Sequence, residues 1–113
     1  MKVAVIGSRN LHIEELGSYL PEDTEEIVSG GAKGIDSDAR EYAKEHNIPL
    51  REFLPDYKRY KRGAPFRRNM QICDYADIVL AFWNGSSGGT KYVIDYCKKN
   101  NIPVSVFVVD STQ

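Results

Sequence analysis

Long apolar runs are missing from this 113-residue chain. None approaches the roughly 20 residues that a membrane span needs. Cysteine is scarce, with only Cys73 and Cys97. Neither has a second ligand at metal-binding spacing, and both fall in helical segments, so they read as reduced core thiols of a cytoplasmic protein. His12 and His46 likewise lack a Cys or carboxylate at ligand spacing, so no metal site and no cofactor is expected. Net charge is nearly absent, at −1, which excludes a molecule-wide attraction to nucleic acid or acidic membrane. The opening Met-Lys-Val-Ala-Val-Ile-Gly reads as a strand, too short and too early for a signal peptide. Two nucleotide fingerprints are absent as well. There is no Gly-x-x-x-x-Gly-Lys-Ser/Thr, and Gly-x-Gly-x-x-Gly does not follow the first strand, which disfavours a P-loop NTPase and a dinucleotide dehydrogenase.

What is present is ordinary for one globular domain over residues 1–113, with 42% hydrophobic and 27% charged residues. The charge is unevenly placed. Six of the fifteen basic residues lie between Lys58 and Arg68, whereas Glu14 to Glu26 is acidic.

Short apolar runs at Lys2–Ile6, Glu26–Ser29, Leu50–Leu54, Asp77–Trp83 and Val104–Val109 predict five strands. Helical spacing predicts helices over Leu11–Leu20, Gly34–Asn47, from Pro65 past Cys73, and over Lys91–Asn100. About ten residues rich in Tyr, Lys and Arg form a loop after the third strand, and the last four residues are expected to fray. The segments His46-Asn47-Ile48-Pro49 and Asn100-Asn101-Ile102-Pro103 share one device. An Asn takes a left-handed helix cap and Pro forbids continuation. Strict alternation of strand and helix predicts an α/β domain, a parallel five-stranded sheet covered by helices on both faces.

In such sheets ligands bind beyond the carboxyl ends of the strands. Three loops there are unusual: Gly7-Ser8-Arg9-Asn10, Ser29 to Asp36 with Gly30, Gly31 and Gly34, and Asn84 to Thr90 with Gly88 and Gly89. Each feeds a helix N-terminus, where unpaired N–H groups favour an anion. Ser29, Ser87 and Thr90 add hydroxyls. Glycines also serve simply as tight turns. Arg67, Arg68 and Asn69 open the third helix, where a guanidinium can fork onto a phosphate or carboxylate. Asp36 either accepts from a ribose or orders its own loop. Trp83 either stacks on a base or packs in the core or a dimer interface. Tyr57 to Arg62 has the composition of a single-strand nucleic-acid contact, a lid, or a solvated loop.

The stretch Ser29-Gly30-Gly31-Ala32-Lys33-Gly34-Ile35-Asp36 resembles the Ser-Gly-x-Ala-x-Gly-Ile/Ala-Asp signature of the SLOG superfamily. That superfamily includes the Smf-type DNA-processing proteins and the "lonely guy" phosphoribohydrolases. Pro55-Asp56-Tyr57 through Tyr60, Gly63-Ala64-Pro65 and Arg68-Asn69 look like its small bacterial and phage branch related to YspA and YpsA. Gly88-Gly89-Thr90 is similar to the superfamily's second glycine motif. The resemblance implies a Rossmann-like sheet of order 3-2-1-4-5, a homodimer, and a nucleotide, nucleotide derivative or nucleic acid as ligand. The loops and these motifs together give a ligand-binding set of Gly7, Ser8, Arg9, Ser29, Gly30, Gly31, Gly34, Asp36, Arg68, Asn69, Gly88, Gly89 and Thr90. Arg68 matches an arginine of the phosphoribohydrolases, but Val93 stands where their catalytic glutamate would be. Three functions follow as expectations. The first is binding or sensing of a nucleotide-derived ligand. The second is N-glycosidic or phosphoribosyl hydrolysis with Arg68 and Asp36 as catalytic candidates, and with Asp36, Asp38 or Asp95 replacing the glutamate. The third is single-strand binding through Lys58 to Arg68.

Overall fold

The computed structural model describes residues 1–109. The expected fraying of the last four residues lies outside them. Five strands, β1 (Lys2–Gly7), β2 (Glu26–Ser29), β3 (Leu50–Glu52), β4 (Ile78–Trp83) and β5 (Val104–Val108), form one sheet of order β3-β2-β1-β4-β5. Every pairing is parallel, with Val3 opposite Ile27 and Ile78, and Gly7 opposite Phe82. This is the parallel α/β sheet that the alternation of elements predicts, in the Rossmann-like order that the resemblance implies.

The pleat of β1 divides the core. Val3 and Val5 point to one face and pack with Ile27, Leu80 and Phe82 against α1 (Ile35–Glu45). Ala4 and Ile6 point to the other and pack with Val79 and Ala81 against α3 (Ala64–Tyr75) and α4 (Gly88–Lys99). Successive side chains alternate between sheet faces, so one apolar strand feeds two half-cores.

The shared helix-to-strand turn is built identically twice. Asn47 and Asn101 adopt φ 54° and 57°. Ile48 donates its N–H to the Ala43 carbonyl and Ile102 to that of Cys97, both at 2.9 Å. The following Pro49 and Pro103 carbonyls accept from Ile27 and Val79 at 2.9 Å. The Asn satisfies the helix end and the Pro delivers the chain into its ladder.

Two connections differ from expectation. Leu11–Leu20 is not a helix and contains only a 3-10 turn at Leu16–Ser18. Tertiary contacts hold this segment instead. The Ile13 N–H goes to Asp38 Oδ2 at 2.7 Å rather than to a helical carbonyl, and Gly17 lies against Tyr42, whose hydroxyl a side chain there would displace. Leu11 and Leu16 are buried all the same. The first crossover therefore lacks the α-helix that the alternating order implied. The basic stretch after β3, read as a loop, is helical: α2 (Tyr57–Tyr60), capped by Asp56, runs into a 3-10 turn at Lys61–Gly63.

Cys73 and Cys97 are buried and free, their sulfurs 3.6 Å apart between α3 and α4. The thiol–thiol hydrogen bond and burial both push the Cys73 thiol up. No helix among the described residues is long and apolar enough to cross a membrane.

Candidate functional site

A cleft of about 440 Å³ opens beyond the carboxyl ends of β1 and β4, within the roughly 300–1,000 Å³ of small-ligand sites. β1 and β4 are the neighbours at which the strand order reverses, the switch point of a doubly wound sheet.

One wall belongs to α3. Arg68 is 8% exposed. Its Nη1 donates to the Gly30 carbonyl at 2.6 Å and its Nε to Asn69 Oδ1 at 2.8 Å. Among the described residues no carboxylate lies within 4.0 Å of it. No deeply buried side-chain nitrogen among the described residues lacks a partner, so Nη2, which makes no hydrogen bond there, keeps some exposure, and Arg68 lines the cleft. Burial pulls the Arg68 guanidinium down from its ordinary value, while Asp36 partly offsets this. Gly30 makes the arrangement possible. A Cβ there would sit 2.6 Å from Arg68 Nη1.

The opposite wall is the start of α4. Ser87 stands at its N-cap but makes no side-chain bond to the first-turn amides. Its Oγ instead donates to Thr90 Oγ1 and accepts from Ser8 Oγ, each at 3.1 Å. Thr90 Oγ1 is also 3.5 Å from Ser8 Oγ. The amides of the first turn have no intrahelical partner, and nothing crowds Gly89 within 4 Å. Asn84 Oδ1 accepts from the N–H groups of Ser86 and Ser87 at 2.9 and 2.8 Å, which sets the loop.

The floor and third side come from β1 and α1. Ile6, Gly7, Ser8, Arg9 and Asn10 line the cleft with Ala32 and Asp36. Asp36 is 7% exposed. Its Oδ2 accepts from Ala32 N–H at 3.0 Å, so it orders its own loop while facing the cleft. Burial raises its carboxyl above the usual range. The Ala32 N–H and then Arg68 act against that rise, and Glu52 adds to it.

A pH dependence follows. Because the folded pKa of Asp36 exceeds its ordinary 3.8, its contribution to stability is complete below that value and is lost as pH rises through the folded pKa. Asp36→Asn keeps an acceptor for Ala32 N–H but removes the charge. Denaturant melts across pH should show the variant gaining on wild type from acid toward neutral pH. Parallel curves would refute it.

The structure brings Gly7, Ser8, Arg9, Gly30, Asp36, Arg68, Asn69, Gly89 and Thr90 to one cleft. Ser29, Gly31, Gly34 and Gly88 do not line it. Ser29 is fully buried, its Oγ 3.4 Å from the Gly31 N–H. Gly34 has φ 72°, and a Cβ on it would collide with the Arg9 carbonyl oxygen and lie 2.8 Å from that of Leu11. Its role is to close the turn. Trp83 is not on the cleft either. Its Nε1 donates to the Ser87 carbonyl at 3.0 Å and props the loop.

Ser87, whose hydroxyl the composition of its loop already suggested, joins the lining with Asn10 and Ala32. Ile6, Pro65, Ile72 and Val93 also line it. For these the only signal is position at a strand end or one helical turn from a polar lining residue. Two acidic candidates are elsewhere. Asp38 spends its oxygens on His12 Nδ1 and Ile13 N–H, and Asp95 pairs with Lys91 at 2.7 Å on the surface. Asp36 is the only carboxylate on the cleft among the described residues. No group of three or more His, Cys, Asp or Glu there could hold a metal ion.

No protein-family model, curated protein or solved structure matches the chain.

Proposed function

We propose that this protein binds or senses a nucleotide or nucleotide-derived ligand, with a phosphate between Arg68 and the first turn of α4. The observation that carries this is a guanidinium 8% exposed, without a carboxylate partner among the described residues, lining the same cleft as the uncapped first turn of α4. Burying a cation costs several kcal/mol unless an anion compensates it. The two walls offer charge-assisted donors to one anionic group. Asp36 repels phosphate but accepts from a sugar hydroxyl, so a phosphorylated sugar matches both kinds of wall. The resemblance to the SLOG superfamily supports the same ligand class, and with it a cytoplasmic homodimer. Exposed Phe66 and Tyr92, ring centroids 5.0 Å apart, offer apolar surface for a second copy.

The test is thermal shift with nucleoside monophosphates against the matching nucleosides. At a ligand concentration a hundredfold above Kd the gain is about 2.7 kcal/mol, which raises Tm by roughly 10 °C in a domain of this size. A shift that needs the phosphate is expected. No shift, or an equal one from the nucleoside, would overturn the reading.

The second reading, cleavage of an N-glycosidic bond, rests on the raised carboxyl of Asp36 as a proton donor. Val93 lines the cleft and contributes no carboxylate. Release of free base that Asp36→Asn abolishes would favour this reading over binding alone.

A further inference from the structure

From Tyr57 to Cys73 the chain contains no Asp or Glu and six cations. Lys58, Arg59, Lys61, Arg62 and Arg67 are all exposed. None has a carboxylate within 4.0 Å among the described residues. In a chain of net charge −1, so much unneutralised charge within the ten residues from Lys58 to Arg67 is a local construction. The backbone packs it tightly. Lys61 takes φ 52°, a conformation unusual for a residue with a side chain, to join α2 to the next turn. The guanidinium carbons of Arg59 and Arg67 lie 5.4 and 5.2 Å from the Tyr60 ring centroid. One ring thus ties a cation of α2 to a cation of α3 by cation–π contact. The patch reaches toward the cleft through α3, where Arg67, which shares the Tyr60 ring with Arg59, directly precedes the cleft residues Arg68 and Asn69.

We propose that α2 and the turn after it form a second anion site, for phosphates that the ligand carries beyond the one in the cleft. The ligand class is then a chain of linked phosphates. This rests on the cleft reading and extends it to the protein's outer surface. Tyr57, 56% exposed beside the cations, adds a ring on which a base can stack, as in single-strand contacts.

The experiment measures Kd for adenosine monophosphate, adenosine tetraphosphate and a short 5′-phosphorylated single strand. It compares wild type with the combined Lys58→Ala, Arg59→Ala, Lys61→Ala and Arg62→Ala variant. The strand or the tetraphosphate should bind wild type at least about tenfold more tightly than the monophosphate. That advantage should shrink steeply with salt, as for any contact that releases counterions, and should vanish in the combined variant. A gain with both ligands marks a free phosphate chain as sufficient, and a gain with the strand alone marks a nucleic-acid end. Equal affinity for all three ligands, or a gain that survives in the variant, overturns the proposal. If the gain is lost in the variant while Arg68→Lys changes nothing, the outer site stands and the cleft reading falls.

Discussion

Gly34→Ala is expected to destabilise the protein by about 3 kcal/mol or more. A backbone at φ 72° and ψ −121°, open mainly to glycine, costs an alanine about 1–3 kcal/mol, and forcing an atom into a filled space adds roughly 1–3 kcal/mol. Both apply here. The φ is 72°, and the new Cβ would meet the Arg9 and Leu11 carbonyl oxygens. Backbone cannot step aside as a side-chain tip can. For a domain of this size, Tm should fall by roughly 10–15 °C. Gly89→Ala is the control, since its surroundings are open, and its Tm should stay within a few degrees of wild type. A Gly34→Ala protein that melts with wild type would show that the turn before α1 is not packed as described.

The second large effect is on ligand affinity. Arg68→Ala should weaken binding of a phosphorylated ligand by about tenfold to a hundredfold, the range of a charge-assisted hydrogen bond worth roughly 1.5–3 kcal/mol. It also strands the Gly30 carbonyl, so calorimetric Kd must be read beside the melting curve. Two further variants separate the causes. Arg68→Lys keeps the charge but loses the fork that spans Gly30 and Asn69, and should recover only part of the affinity. Gly30→Ala leaves Arg68 in the sequence but drives a Cβ against its Nη1. Binding should fall because the guanidinium is displaced. Affinity unchanged in all three would remove Arg68 from the site.

Much of the fold is legible from strand pattern alone. The apolar runs from Lys2 and Asp77 are buried on both faces, so neither depends on a correct guess about which side is wet. The segment Leu11–Leu20 is not legible in the same way. Its apolar spacing suits a helix, yet what decides it is the carboxylate of Asp38, distant in sequence. The site divides along the same line. That three loops meet at one rim follows from the order of elements. Which glycine faces the cleft and which faces backbone does not. Gly30 and Gly34 sit in one motif, but the first makes room for a guanidinium and the second for a carbonyl, and only packing distinguishes them. Asp38 and Asp95 resemble Asp36 in sequence, but their neighbours His12 and Lys91 keep them elsewhere.

The helix-less passage from β1 to β2 gives the cleft two unlike banks. Arg68 and Thr90 ride on twelve-residue helices, whose ladders keep them in place with or without a guest. Arg9 and Asn10 sit on a strap moored by buried leucines and a borrowed carboxylate. Local opening costs least where such ladders are missing. On the proposed binding role, adaptation to guests of different outline would fall to the strap, with the helices as the fixed gauge.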